Sequence, residues 1–109
     1  MTVYLVSRHQ GATQWMQGQF PGQPVVRISH LEGQTFAPGD RVCGILPLAW
    51  AARVCAAGAQ ALVISMQVPE HLRGQELSAQ ELDALGACLV RYDVRTAGLH
   101  VPRPAEAGP

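Results

Sequence analysis

Arginine and histidine stand side by side at positions 8 and 9, where the apolar run of residues 2–7, "TVYLVS", gives way to a small-residue turn, Gln10-Gly11-Ala12. These residue types at this spacing suit an anion. An arginine forks onto phosphate oxygens in a bidentate geometry. A histidine donates a hydrogen bond or exchanges a proton near neutral pH. Gly11 and Ala12 leave room for backbone N–H groups to approach a ligand. A helix starting at this turn adds about half a positive charge at its N-terminus. Together they fit phosphate recognition, extending to phosphodiester cleavage. The plain structural alternative is a solvated or ion-paired surface pair.

Such a turn matters only if neighbouring elements bring it to a shared edge. Residues 2–7 read as a strand, and 11–18 as a short helix with Ala12, Trp15 and Met16 on one side. "VVRISHL" reads as a second strand and "RVCGIL" as a third, stopped by Pro47. Residues 48–57 form an alanine-rich helix with Gly58 placed as its left-handed cap. "AQALVISM" is apolar without alternation, as expected of a parallel strand covered on both faces. Ser78 with Glu81 makes a capping box, and Leu82, Leu85 and Leu89 line one face of the helix it opens. Residues 92–101 read as a final strand, and the Pro- and Ala-rich end, 100–109, is expected to be a disordered tail behind a single domain of residues 1–99.

Strands alternating with helices imply an α/β domain: a three-layer sandwich around a mainly parallel sheet of about five strands. In such sheets, ligands sit outside the carboxyl ends of the strands. That rule selects Ser7, Arg8 and His9 after the first strand, Leu46 and Pro47 after the third, and Ser65 at the end of the fourth. The loop carrying Glu70, His71 and Arg73 starts on the same edge. His30 and His100 fall away from it and read as surface residues, while Trp15 and Tyr92 read as packing residues.

An arginine-histidine pair at a strand end also suggests a histidine phosphatase, in which the histidine accepts a phosphoryl group. Here Gln10 separates His9 from Gly11, which alters the turn that would orient that nucleophile. The chemistry also needs a second histidine, a second clamping arginine and an acid, on a domain about twice this size. The phosphatase reading fails on these counts.

Composition narrows the partners. The chain has 109 residues, 48% of them hydrophobic and 15% charged. It can bury roughly 60–70% of its unfolded surface. Eight arginines balance eight carboxylates, and there is no lysine. A neutral chain argues against a long nucleic-acid duplex, which needs many phosphate contacts; a small anion needs only a few arginines. No apolar run approaches the ~20 residues of a membrane span and no signal-peptide layout opens the chain, so a cytoplasmic protein is expected. Cys43, Cys55 and Cys88 each sit in an apolar pattern without metal-ligand spacing. They read as small buried hydrophobes, and no metal or cofactor is expected.

The blocks "VSRHQGATQW", "PGDRVCGILP", "AARVCAAGA", "VPEHLRGQEL" and "LGACLVRYDV", in this order, resemble the small CRISPR-associated family called Csx-sixteen, found beside type III systems. The resemblance runs from residue 2 to about residue 96, with Ser7 standing where threonine is expected and no counterpart for the tail. It implies a Rossmann-like domain similar to those that sense cyclic oligoadenylates, acting as a homodimer. It also implies a ring nuclease that binds cyclic tetra-adenylate and opens it, switching off antiviral signalling. The residues that match the family blocks are Arg8, His9, Gly11, Ala12 and Trp15, then Gly44, Leu46 and Pro47, then Leu72, Arg73 and Gly74.

Chemistry then assigns roles. Arg8, His9 and Arg73 are the expected catalytic groups, and Ser7, Gln10, Gly11, Ala12, Leu46, Pro47 and Ser65 the expected ligand-binding residues. Two alternatives stay open: a sponge that holds the ring without cutting it, and an accessory subunit that binds other proteins.

Overall fold

A computed structural model describes residues 1–98. The predicted tail, 100–109, and the end of the predicted last strand lie outside the described residues. The order is β1 (Val3–Val6), α1 (Gln10–Gly18), β2 (Val25–Ile28), β3 (Arg41–Gly44), α2 (Leu48–Ala56), β4 (Gln60–Ser65), a short 3₁₀ turn (Glu70–Leu72), α3 (Ala79–Ala84) and β5 (Cys88–Tyr92). The five strands form one sheet in the order β2-β1-β3-β4-β5. All neighbouring pairs are parallel except β4 with β5. The protein is thus a mixed α/β fold on a mostly parallel sheet.

Strand alternation divides the core between the two faces of this sheet. On one face, Val3, Leu5, Cys43 and Ile64 pack with Trp15 and Met16 of α1 and Leu82 of α3. On the other, Val42 and Ala61 pack with Ala51 and Val54 of α2. Leu5, Met16, Val42, Cys43 and Val54 are almost wholly buried. Truncating an aliphatic side chain in such a setting typically costs about 2–5 kcal/mol. Burial also pushes the Cys43 thiol up to about 12, against a small opposing pull from Arg41, so it stays a protonated, inert hydrophobe.

Two helices end as their glycines dictate. After α2, Gly58 takes φ +83, and its N–H and that of Ala59 bond the carbonyls of Cys55 and Val54. After α3, Gly86 takes φ +75 with the matching pair of bonds to Asp83 and Leu82. Both are Schellman closures.

The second closure corrects the reading of the C-terminal third. The helix stops at Ala84, and Leu89 belongs to β5, opposite Ile64. The 3.6-residue leucine pattern continued past the helix because Leu82 and Leu89 enter the same apolar cluster from different elements. The last strand among the described residues is therefore Cys88–Tyr92, ending where the predicted one begins, and residues 93–98 are not strand. It is also antiparallel. A helix of α3's length rises only about 9 Å, whereas a strand of β4's length spans about 20 Å. The chain thus stays near the carboxyl edge, and β5 starts with Cys88 opposite Ser65 and runs back. Two packing expectations fall with this correction: Cys88 is exposed, and Tyr92 at the end of the edge strand is 46% exposed.

The opposite edge is fastened by a buried carboxylate. Asp40 accepts backbone N–H groups from Thr2 and Ala37, both at 2.9 Å. These bonds, Ala37 foremost and then Thr2, hold its carboxyl below the ordinary value of 3.8 against the opposing effect of burial. A depressed carboxylate contributes stability above its unfolded value and loses it as pH falls through the folded one. Asp40→Asn should therefore unfold earlier than wild type in urea at pH 7, since an amide NH₂ would face one of the two N–H donors. The gap should narrow below about pH 3.8, where wild type loses the same interaction; a pH-independent gap would contradict this role.

Candidate functional site

The site forms where the strand order reverses. From β1 the chain crosses through α1 to β2 on one side, and from β3 through α2 to β4 on the other. The carboxyl ends of β1 and β3 lie next to each other with their helices on opposite faces. A crevice opens at such a point in α/β sheets. Here it is a cleft of about 410 Å³, walled by Ser7, Arg8, His9 and Ala12 on one side and by Ile45, Pro47 and Trp50 on the other. Its rim includes Ser29, His30 and Glu32 from beyond the end of β2.

Both helices that start at this cleft lack N-terminal side-chain caps. The Ncap of α1 is His9 and that of α2 is Pro47; neither makes a side-chain cap bond, and neither first turn has an acid. The leading N–H groups of a helix have no intrahelical acceptor. α3 contrasts with them. Its Ser78 hydroxyl accepts the Glu81 N–H at 3.1 Å, and the Glu81 carboxylate accepts the Ser78 N–H at 3.0 Å.

The turn that carries Arg8 and His9 is braced from within. The Ser7 hydroxyl accepts the His9 N–H at 2.9 Å and donates to the His9 carbonyl at 3.0 Å. The Thr13 hydroxyl donates to the same carbonyl at 3.0 Å. The His9 ring reaches the other way, with Nδ1 at 2.6 Å from Oε1 of Glu76 in the loop before α3. Arg8 is exposed and makes no ion pair among the described residues.

Five of the sequence-predicted site residues line the cleft: Ser7, Arg8, His9, Ala12 and Pro47. Gln10 and Gly11 face an adjoining hollow shared with Arg8, Glu76 and Ser78. Leu46 is buried in the core on the α2 side, and Ser65 sits at the end of β4, where its carbonyl accepts the Cys88 thiol. Arg73 lies apart, lining separate hollows with Met66 and Val68, its Nε donating to the Val68 carbonyl at 3.4 Å. His71 lies on the same loop and is exposed.

Gly11 has a second role. A Cβ built on it would lie 1.9 Å from the Leu77 carbonyl oxygen, so the glycine lets the lead-in to α3 rest directly on α1. That contact holds the Glu76–Ser78 segment beside the turn.

His30 overturns an expectation, because it lines the cleft instead of lying away from it. β2 runs parallel to β1, with Ile28 opposite Val6, so the residues following it arrive at the same edge. The strand-end rule applied to "VVRISHL" contains that signal. Trp50 was also missed; it stands in the cleft wall with the Arg53 guanidinium 4.7 Å from its ring centre. Glu76 carries no local signal at all, since its partner is distant in sequence.

These features define a small, mostly parallel α/β protein with an open cleft at its strand ends, edged by arginine, histidines and two uncapped helix starts. Residues 4–95 match the family described as "Putative CRISPR-associated protein (Cas_VVA1548)", and the chain belongs to that family. No curated protein and no solved structure matches it.

Gly11→Ala should test the contact on which this geometry rests. Overpacking of this kind costs about 1–3 kcal/mol, so the urea midpoint should fall measurably. An unchanged midpoint would mean that the Leu77 segment does not rest on α1.

Proposed function

We propose that this CRISPR-associated protein is a ring nuclease that binds cyclic tetra-adenylate and cuts it to linear di-adenylate. The observation that carries the reading is the convergence of Arg8, His9, His30 and two uncapped helix N-termini on one cleft. The resemblance to the Csx-sixteen family and the membership of a CRISPR-associated family point the same way. On this reading the fold is a Rossmann-like three-layer sandwich and the protein works in the cytoplasm.

The reaction uses groups that the substrate carries. A ribose 2′-oxygen attacks the adjacent 3′-phosphorus in line, its proton passes to a base, and the bond from phosphorus to the 5′-oxygen breaks. The 5′-oxygen takes up a proton, leaving a 2′,3′-cyclic phosphate and a 5′-hydroxyl. Two such cuts turn the ring into two di-adenylates. No metal is required for this path, and the protein's part is to fix in-line geometry and stabilise charge at phosphorus.

Arg8 and the amides of residues 10–12 stabilise that charge, and His9 moves the proton. Arg73 would act only after its loop closes toward the cleft, as mobile catalytic loops do. A two-fold homodimer would offer two copies of the edge to a four-phosphate ring, which lets a neutral chain hold a tetra-anion. Ile45 and Leu48, 71% and 75% exposed beside the cleft, supply apolar surface for such a second copy.

Purified protein with cyclic tetra-adenylate in EDTA should yield di-adenylate with 2′,3′-cyclic phosphate ends. Arg8→Ala should lose binding and rate together. His9→Ala should lose about 10²–10⁴-fold in rate with far less effect on binding. A ring that is bound tightly but stays intact would make the protein a sponge. Absence of both binding and cleavage, with the protein found only in stable hetero-complexes, would favour the accessory-subunit reading.

A further inference from the structure

Of the described polar contacts around the cleft, the shortest is between side chains far apart in sequence: His9 Nδ1 and Glu76 Oε1, at 2.6 Å. Both side chains are largely exposed, at 64% and 71%. An exposed pair of this kind adds little to stability. Its surroundings are nevertheless elaborately fixed. Ser7 and Thr13 hold the His9 backbone, while Gly11 against Leu77 and the Ser78–Glu81 capping box hold the segment that carries Glu76. Two separate elements are thus set so that one carboxylate meets one particular ring nitrogen.

We infer that Glu76 is a positioning residue for His9: its carboxylate accepts the Nδ1–H and so fixes the tautomer in which Nε2 carries the free lone pair. A carboxylate is an acceptor only, so neutral His9 must place its proton on Nδ1 to make this bond. Nε2 is then the nitrogen that takes the 2′-hydroxyl proton as the 2′-oxygen bonds to phosphorus. The bond to the 5′-oxygen breaks, that oxygen takes a proton from water, and the imidazolium afterwards returns its proton to water. This is the orienting logic by which a carboxylate holds a general-base histidine in hydrolytic triads. The assignment of a catalytic consequence rests on the ring-nuclease reading; the tautomer itself does not.

The test therefore uses two readouts on the full chain. Long-range ¹H–¹⁵N correlation spectra, with the His9 signals identified by their loss in His9→Gln, report the tautomer without substrate. Wild type should show the Nδ1–H form of His9. Glu76→Ala should shift it toward the Nε2–H form that an unconstrained histidine favours, with an unchanged urea midpoint. With cyclic tetra-adenylate, Glu76→Ala should lower kcat at least about tenfold, with KM nearly unchanged. Glu76→Gln should recover part of it, because its carbonyl still accepts the Nδ1–H.

An Nε2–H tautomer in wild type, or wild-type kcat in Glu76→Ala, would overturn the inference. A wild-type protein that never cuts the ring would overturn the proposed function instead, and the tautomer spectra would still decide the role of Glu76.

Discussion

The reversal of strand order at β1 is the constraint on which everything else depends. β1 pairs with β2 on one side and β3 on the other, and the chain leaves β1 and β3 toward opposite faces. Neither helix can then cover the gap between the two strand ends. A close backbone approach keeps those ends together. Gly44, the last residue of β3, sits at φ +151, where a Cβ would come within 2.4 Å of the Val6 carbonyl oxygen. The conformation and the crowding both call for glycine. The cleft is thus a consequence of topology, and the residues after β1, β2 and β3 inherit a place on its rim.

The division of labour among the helices follows. α1 and α2 anchor their apolar sides with Trp15, Met16, Ala51 and Val54 while their uncapped starts face the cleft. Caps are typically worth about 1 kcal/mol each; the two cleft-facing helix starts lack a side-chain cap, whereas α3 has a full capping box. α3 has a different task. It is short, doubly capped and pressed against α1, and it holds the Glu76 segment in place rather than spanning the sheet.

Much of this was legible where the signal is local. The Ser78–Glu81 box, the left-handed Gly58, the buried side of α1 and the turn after β1 each depend on residues a few positions apart, and the structure has all of them. Leu89 misled because helical spacing cannot tell one long helix from a helix and a strand that feed the same cluster. The antiparallel direction of β5 depends on how far α3 travels, which periodicity does not report. His30 was within reach of the strand-end rule once β2 is treated as parallel. Glu76 was not, because long-range packing of α3 and its lead-in on α1, Leu77 against Gly11 included, brings it to His9.

On the proposed function, the β1–β3 crevice is where the protein takes an oligoadenylate. The most direct measurement is an NMR titration of ¹⁵N-labelled His9→Ala protein, in which the ring should persist, with cyclic tetra-adenylate. Amide shifts should concentrate at Arg8 to Ala12, at Ser29 to Glu32 and from Ile45 to Trp50, the residues around the cleft. Shifts confined to the opposite edge around Asp40 and Gly58, or to the Arg73 loop alone, would contradict it.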